Sequence, residues 1–282
     1  MRYGASFPIS DWGDPTALRD MAQALDGAGM DYVSLSTHLL SMPVGTLPDE
    51  PPHHYVGPYR EPNVLFAYLA GQTQRIGFRT AVLILPLYPT ALLARLAGDL
   101  SIISGGRLEL GVGISWNPRE YEALGQDIHS RGQRMEEQIT LLRRLWTEPH
   151  VTFEGKYHKL DAVGLNQLPP PIPIMIGAGT EDYLLRRTAR IGDGWIPLGD
   201  PVEPLERLHR YLEDEGRDPA TFKVSGRLMA GRDGPKEWVE RVKRLHAAGI
   251  NDMEIFPGGG RSSSESTALL LEARRVLMEE FG

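Results

Sequence analysis

Short aliphatic runs alternate eight times with longer segments of helical period, and this alternation constrains the fold more than any other feature of the sequence. It is the pattern of βα units around a parallel sheet. In the first unit, Asp14 occupies the N-cap position, Pro15 the first helical position, and Gly29 ends the helix. Strands are predicted over residues 3–7, 31–36, 78–85, 108–112, 172–176, 194–197, 222–229 and 253–256. Helices are predicted over residues 14–29, 64–72, 91–103, 135–146, 182–191, 203–215, 238–249 and 266–280.

Eight strands and eight helices predict one α/β domain over residues 1–282, a (β/α)8 TIM barrel. An open doubly wound sheet is the alternative, but it usually has fewer strands and a glycine fingerprint after strand one, where residues 8–12 read Pro-Ile-Ser-Asp-Trp. Two insertions are expected. The proline-rich residues 37–62 after strand two predict a lid over the mouth, and residues 147–171 predict a hairpin before strand five.

Composition narrows the class of partner. Thirty basic and 37 acidic residues give a net charge of −7, which disfavours binding to nucleic acid or to anionic lipid. The absence of cysteine excludes disulfides and thiolate metal sites. No signal-peptide pattern and no run of about 18 to 20 apolar residues is present. We therefore expect a cytoplasmic protein that acts on a small molecule, without a nucleic acid or membrane partner.

His38 is the candidate catalytic residue, because it follows strand two at the end of the barrel where functional groups collect. Its imidazole suits proton transfer or a hydrogen bond to a bound ring near neutral pH. The alternative is a buried histidine that only stabilises the fold. A metal site at His53 and His54 is disfavoured, because two adjacent side chains on a proline-rich loop make a poor preformed site.

Glycine pairs follow strands four and five, at residues 111–113 and 177–179. Glycine lets a phosphate approach backbone N–H groups, and the helix after the second pair offers a partial positive charge. The alternative is that these glycines only end strands. A third glycine cluster at residues 258–260, followed by Arg261, is by spacing alone an equally good candidate for the phosphate site. The alternative is that it is a flexible linker to the last helix.

Three blocks carry a resemblance to a known family: residues 105–125 (GGRLELGVGISWNPREYEALG), 171–177 (PIPIMIG) and 187–197 (RTARIGDGWIP). They resemble the luciferase-like monooxygenase superfamily. With residues 164–169 (GLNQLP), the likeness is greatest to the branch of oxidoreductases that depend on coenzyme F420, a 5-deazaflavin. The resemblance covers nearly the whole chain and implies the same barrel.

The resemblance also implies site residues. The flavin-like ring would lie across the C-terminal mouth, backed by a bulge in strand three with a non-proline cis peptide between Ala81 and Val82. Relatives that use this deazaflavin often have an acidic residue before the histidine, where this sequence has Thr37. The cofactor phosphate would go to the loops after strands four and five, in preference to the strand-eight glycines. The implied cofactor-binding residues are Thr37, His38, Ala81, Val82, Gly113, Ile114, Ser115, Gly177, Ala178 and Gly179.

The expected function is hydride transfer between coenzyme F420 and an unidentified small organic substrate, with His38 moving the accompanying proton. The alternatives are an FMN-dependent luciferase-like monooxygenase and a non-catalytic flavin- or deazaflavin-binding protein.

A homodimer is also expected, because relatives commonly pair through barrel helices. The apolar stripes that suggest it lie in helix two (Val64, Leu65, Tyr68, Leu69) and helix three (Leu92, Leu93, Leu96). The alternative is that both stripes pack inward.

Overall fold

Parallel strands form a closed ring in the computed structural model, which describes residues 1–7, 14–43 and 59–282. The ring strands are β1 (Arg2–Ser6), β2 (Tyr32–Leu35), β3 (Gly77–Thr80), β4 (Leu83–Ile84), β5 (Leu108–Gly113), β8 (Ile174–Ala178), β9 (Gly194–Pro197), β10 (Lys223–Leu228) and β11 (Asp252–Ile255). A separate antiparallel hairpin consists of β6 (Val151–Glu154) and β7 (Lys159–Val163). The α-helices are α1 (Pro15–Gly27), α2 (Pro62–Ala70), α3 (Thr90–Ser104), α4 (Pro118–Ala123), α5 (Arg131–Thr147), α6 (Asp182–Ile191), α7 (Val202–Asp214), α8 (Pro235–Ala247) and α9 (Ser263–Phe281).

The ring closes between its first and last strands. β1 pairs in parallel with β2 on one side and with β11 on the other, in a register that places Arg2 beside Asp252. The remaining neighbours run from β2 through β3, β5, β8, β9 and β10 to β11. This topology confirms the predicted (β/α)8 barrel and the hairpin before its fifth strand. Of the predicted lid, residues 44–58 lie outside the described residues, as do His53 and His54.

The third predicted strand departs from the chain pattern and agrees with the bulge that the family resemblance implied. Residues 78–85 do not form one strand, because the chain bulges at Ala81 and Val82 and divides it into β3 and β4. Both parts pair with β5, which shows that the bulge inserts residues without ending the ring. The helix α4 between β5 and α5 was also not predicted.

Local sequence explains where the first helix starts and which face it buries. The Asp14 carboxylate accepts a hydrogen bond from the Thr16 N–H at 2.8 Å, and Pro15 fits the first turn, which needs no N–H. Leu18, Met21 and Leu25 lie on one face and are almost fully buried. The helix therefore packs its apolar stripe on the strands and leaves its polar face to solvent.

A charged cluster fills the barrel toward the N-terminal ends of the strands. The fully buried Arg79 guanidinium donates to Glu109 and to both oxygens of Asp252, the latter at 2.8 Å. Burial alone would raise the pKa of Glu109, but Arg79, Arg2 and Lys223 outweigh it and lower this pKa to about 2. These ion pairs therefore occupy the barrel interior at the N-terminal end of the strands.

Candidate active site

His38 lies just beyond β2, at the C-terminal end of the barrel, and its side chain is mostly buried. Its Nδ1 atom is 2.8 Å from Oε2 of Glu120, on α4. The ring also meets the edge of the Tyr59 ring, with centroids 5.3 Å apart. The histidine is thus fixed by a carboxylate that comes from the loop after another strand.

Glu120 is the functional residue that sequence reasoning missed. One carboxylate oxygen accepts hydrogen bonds from the backbone N–H groups of Leu39 and Leu40, at 2.7 and 3.2 Å. The other oxygen accepts from the Asn117 side chain at 3.1 Å, in addition to its contact with His38. Glu120 therefore joins the loop after β2 to the loop after β5.

The charge state of Glu120 assigns the histidine tautomer. Burial opposes ionisation of this carboxyl, but hydrogen bonds from His38 and from the two backbone N–H groups outweigh burial and lower its pKa below the usual value. An ionised carboxylate only accepts hydrogen bonds, so His38 Nδ1 must be the donor. In the neutral imidazole the lone pair is then on Nε2, which is the atom able to take a proton.

The hydrogen-bond partners of Thr37 differ from those of its neighbour His38. Its side chain is buried, and its hydroxyl donates to the backbone carbonyls of His38 and Arg60, at 3.1 and 3.3 Å. These bonds tie the beginning of the loop after β2 to its end. The side chain thus stabilises the loop that carries His38.

Val82 brings the predicted cofactor loops together. The peptide bond between Ala81 and Val82 is cis, as the family resemblance implied. A Cβ atom placed on Gly113 would lie 2.7 Å from one methyl group of Val82, and a Cβ on Gly177 would lie 2.6 Å from the other. The Val82 side chain therefore fits between the ends of β5 and β8. The structure gives these two glycines a packing reason, in addition to the phosphate approach that the sequence suggested.

The loops that follow these strands remain on the same face. After Gly113, Ser115 has a φ of 55°, a left-handed conformation rare for a non-glycine residue, and the Ile114 carbonyl accepts from the Tyr121 hydroxyl at 2.5 Å. After β8, the Ala178 carbonyl accepts from the Trp195 indole at 3.1 Å. The backbone of both loops is therefore anchored by aromatic side chains.

The helix after the second loop, α6, begins without a side-chain cap, because the Glu181 side chain accepts no hydrogen bond from its first turn. The start of α5 differs, since the Ser130 N–H already donates to the Asp127 carbonyl at 3.1 Å and the Arg131 N–H to the Ile128 carbonyl. Unpaired N–H groups at a helix start favour an anion. The Glu181 side chain rests against Gly179, where an added Cβ would collide with its carboxylate. A phosphate at this loop therefore requires that side chain to move.

The competing glycine cluster after β11 has a structural explanation. Arg261 donates to the Pro257 carbonyl at 2.8 Å and to the Gly231 carbonyl at 3.1 Å, and so joins the loops after β10 and β11. Gly258 and Gly260 have φ values of 82° and 77°, which favour glycine.

Within the described residues, no cluster of three or more metal-ligating side chains is found.

Residues 3–269 match the luciferase-like monooxygenase family, and the chain belongs to that family. It is 36% identical over 202 residues to an uncharacterized protein of Mycobacterium tuberculosis, an alignment that covers 70% of this chain and 68% of the relative. It is 30% identical over 186 residues to an F420-dependent glucose-6-phosphate dehydrogenase of Kineococcus radiotolerans, covering 64% of this chain and 52% of that enzyme.

Among solved structures, an F420-dependent secondary alcohol dehydrogenase in complex with an F420-acetone adduct matches with a TM-score of 0.81. The match has 15% sequence identity and covers 98% of both chains, so it shows a shared fold. Membership of the family makes the chain an oxidoreductase.

No helix in the described part of the chain is both long and apolar enough to cross a membrane.

Proposed function

We propose that the chain is an F420-dependent oxidoreductase that transfers a hydride between the deazaflavin and a small organic substrate. The observation that carries the proposal is the carboxylate-fixed histidine, His38 with Glu120, on the same barrel face as the bulge at Val82 and the two glycine loops. The cofactor choice is supported by the F420-dependent enzymes to which the chain is similar.

The residues on this face fit a ring cofactor with a phosphate. The start of α6, which has no side-chain cap, adjoins the loop at Gly177–Gly179. This loop and the loop at Gly113–Ser115 would hold the phosphate. Ala81 and Val82 would back the ring, and His38 would lie at its edge. Bound F420 supplies hydride chemistry at C5 of its ring.

His38 manages the proton that accompanies the hydride. When a hydroxyl group is oxidised to a carbonyl, the hydroxyl proton passes to His38 Nε2, and in the reverse direction Nε2–H returns it. Glu120 keeps the other proton on Nδ1 and stabilises the imidazolium that forms. This chemistry indicates a substrate with a hydroxyl or carbonyl group.

We also infer that residues 1–282 act as one domain, and that the protein lies in the cytoplasm.

A further part of the proposal is that the chain forms a homodimer. The dimer is supported by exposed apolar side chains on the packed helices α2 and α3, among them Val64 and Leu92, which are 72% and 53% exposed. Leu65, Leu69 and Leu93 of the same helices are buried against the barrel. Each helix therefore has an outward apolar face besides its inward one.

Parallel titrations with F420 and FMN test the proposal. We expect F420 to bind at least about tenfold more tightly than FMN, and bound F420 to change its absorbance when hydroxyl-bearing substrates are screened. Tighter binding of FMN with oxygen-dependent turnover would instead indicate a monooxygenase. Tight F420 binding without turnover across the panel would indicate a binding protein.

A further inference from the structure

A cavity of about 660 Å³ opens at the N-terminal end of the barrel, the end opposite to His38. We call it the basal cavity. Arg2, Lys223 and Asp252 line it, and these residues begin the parallel strands β1, β10 and β11. Its other walls come from α7, the turn before β10 and the loop between α8 and β11. The volume is in the range of small-molecule sites, and the proposed function uses none of the lining residues.

One part of the lining of the basal cavity is apolar. Leu205 of α7 and Phe222 and Val224 beside the start of β10 contribute to it, together with Pro219. The first three of these side chains are almost fully buried, so they form a fixed surface. Such a surface favours a ligand with an apolar body.

The polar part of the lining belongs to the charged cluster inside the barrel. Within the described residues, the ion pairs of this cluster join three cations, Arg2, Arg79 and Lys223, to two carboxylates, Glu109 and Asp252. The cluster therefore has one positive charge in excess. Arg79 is fully buried and Asp252 nearly so, which keeps water from screening that charge. An anion in the basal cavity would balance it.

The cations that reach the basal cavity have unused hydrogen-bond donors. Both bonds from Arg2 to carboxylates use Nη1, so its Nε and Nη2 atoms have no partner in the described part of the chain. The Lys223 ammonium, which can donate three hydrogen bonds, donates to Glu109. The two side chains are 35% and 37% exposed. The half-buried His209 of α7 lines the same cavity, and its imidazole has no hydrogen bond to any described residue.

We propose that the basal cavity binds a small monocarboxylate with an apolar body. The carboxylate accepts charge-assisted hydrogen bonds from Arg2 and Lys223 and balances the excess charge of the cluster. The body lies against the surface formed by Leu205, Phe222 and Val224. Because the cavity is at the opposite end of the barrel from His38, this ligand takes no part in the proposed hydride transfer.

Calorimetric titration of the full chain, without cofactor, tests the site with phenylpropionate as the probe. Phenylpropanamide has nearly the same shape without the charge, and acetate has the charge without the apolar body. We expect phenylpropionate to bind at least about tenfold more tightly than either of them. Equal binding of the acid and the amide would overturn the role of the cations. Equal binding of acetate would overturn the role of the apolar surface.

Two variants of α7 locate the bound probe. His209→Glu places a carboxylate in the wall of the basal cavity, where it competes for the same cations, so the affinity for phenylpropionate should fall about tenfold. Arg210→Glu is the matched control, because Arg210 is an exposed neighbour on the same helix outside the lining. It changes the net charge by more, yet it should leave the affinity within about twofold of that of the wild type.

Lys223→Gln supplies an independent measurement. It removes the ammonium, so the preference for the acid over the amide should fall by about fivefold or more. If this variant does not fold, because Lys223 also pairs with Glu109, the comparison of the two α7 variants still decides. Unchanged binding in His209→Glu, or an equal loss in Arg210→Glu, would overturn the site.

Discussion

Glu120 contacts His38 directly, in addition to its hydrogen bonds with the loop backbone and with Asn117, and we predict that its charge supports the histidine in turnover. Glu120→Gln keeps an oxygen that can accept from Nδ1, but it removes the negative charge that stabilises the imidazolium. We expect turnover to fall about tenfold or more, while cofactor affinity stays within about twofold. In ¹⁵N spectra, the preference of the His38 ring for the Nδ1–H tautomer should weaken, because the glutamine amide can donate to Nδ1 as well as accept from it.

Glu122→Gln is the matched control, because Glu122 is an exposed residue of the same helix. It should leave both turnover and the tautomer unchanged. His38→Ala should lower turnover by about 10²-fold. Unchanged turnover and an unchanged ring spectrum in Glu120→Gln would show that Glu120 only stabilises the loops.

The two residues of this pair differ in how well the sequence predicts them. His38 was found because its position at a strand end is a feature of the chain pattern. Glu120 was not, since its contact with His38 spans 82 positions and a glutamate in Pro-Arg-Glu-Tyr-Glu resembles a solvated one. The Asn117 cap followed by Pro118 does mark a helix start, so α4 was predictable. The burial of its third residue depends on packing that no local pattern encodes.

At the scale of elements, the bulge between β3 and β4 depends on small residues in its neighbours. Gly113→Ala would place a methyl group 2.7 Å from Cγ2 of Val82, so either the bulge or β5 must shift. We expect a loss of about 1–3 kcal/mol in the free energy of unfolding, measured by urea denaturation, together with weaker cofactor binding. Val82→Ala in the same chain should recover part of that loss, because it removes the colliding methyl.

Gly27→Ala provides the control for this variant. No heavy atom lies within 4 Å of a Cβ at Gly27, and the residue ends a helix, so stability should stay the same or rise. Equal stability of Gly113→Ala and the wild type would contradict the packing role of Gly113. The chain pattern predicted the β-rich run at residues 78–85, and only the family resemblance implied the bulge that divides it. The pattern could not show the division, because it depends on space left by glycines on other strands.

Inside the barrel, two layers of carboxylates respond to pH in opposite directions. Burial raises the pKa of Glu254, which accepts a hydrogen bond from Ser34. The folded state thus binds this proton more tightly than the unfolded state, so the stabilisation is complete at low pH and is lost as pH rises through the folded pKa. Glu254→Gln mimics the protonated form, and we expect its melting temperature to rise relative to that of the wild type as pH increases above the ordinary pKa of a glutamate.

Glu109 should show the reverse behaviour. Its pKa is lowered to about 2, so its contribution is present above the ordinary pKa of a glutamate and is lost as pH falls toward 2. Glu109→Gln breaks a buried ion pair with Arg79 and should cost about 3–5 kcal/mol at neutral pH, and less in acid. The measurement is thermal unfolding of both variants and the wild type across pH. If the melting temperatures of Glu254→Gln and Glu109→Gln, each relative to the wild type, changed with pH in the same direction, the opposite pKa shifts of the two residues would be contradicted.

For the molecule as a whole, the homodimer that we propose would form through the outward faces of α2 and α3. Tyr68 and Leu96 extend the exposed apolar set of Val64 and Leu92, and these two helices pack against each other. A barrel helix needs only one apolar stripe for its own strands, so a second stripe is best explained by a second subunit. Burial of this second stripe in a subunit interface would remove its side chains from water.

Light scattering at micromolar concentration tests the dimer. The wild-type chain should have twice the 31.3 kDa mass of one chain, and Leu92→Glu should reduce it to that of one chain because it buries an unpaired charge. Met278→Glu is the control, since Met278 is a 38% exposed apolar residue on α9, a helix that packs against α1 and α8. A wild-type mass near 31.3 kDa would refute the dimer. A Leu92→Glu variant that remains dimeric would place the interface on another face, because a charge in the centre of an apolar contact cannot stay unpaired without cost.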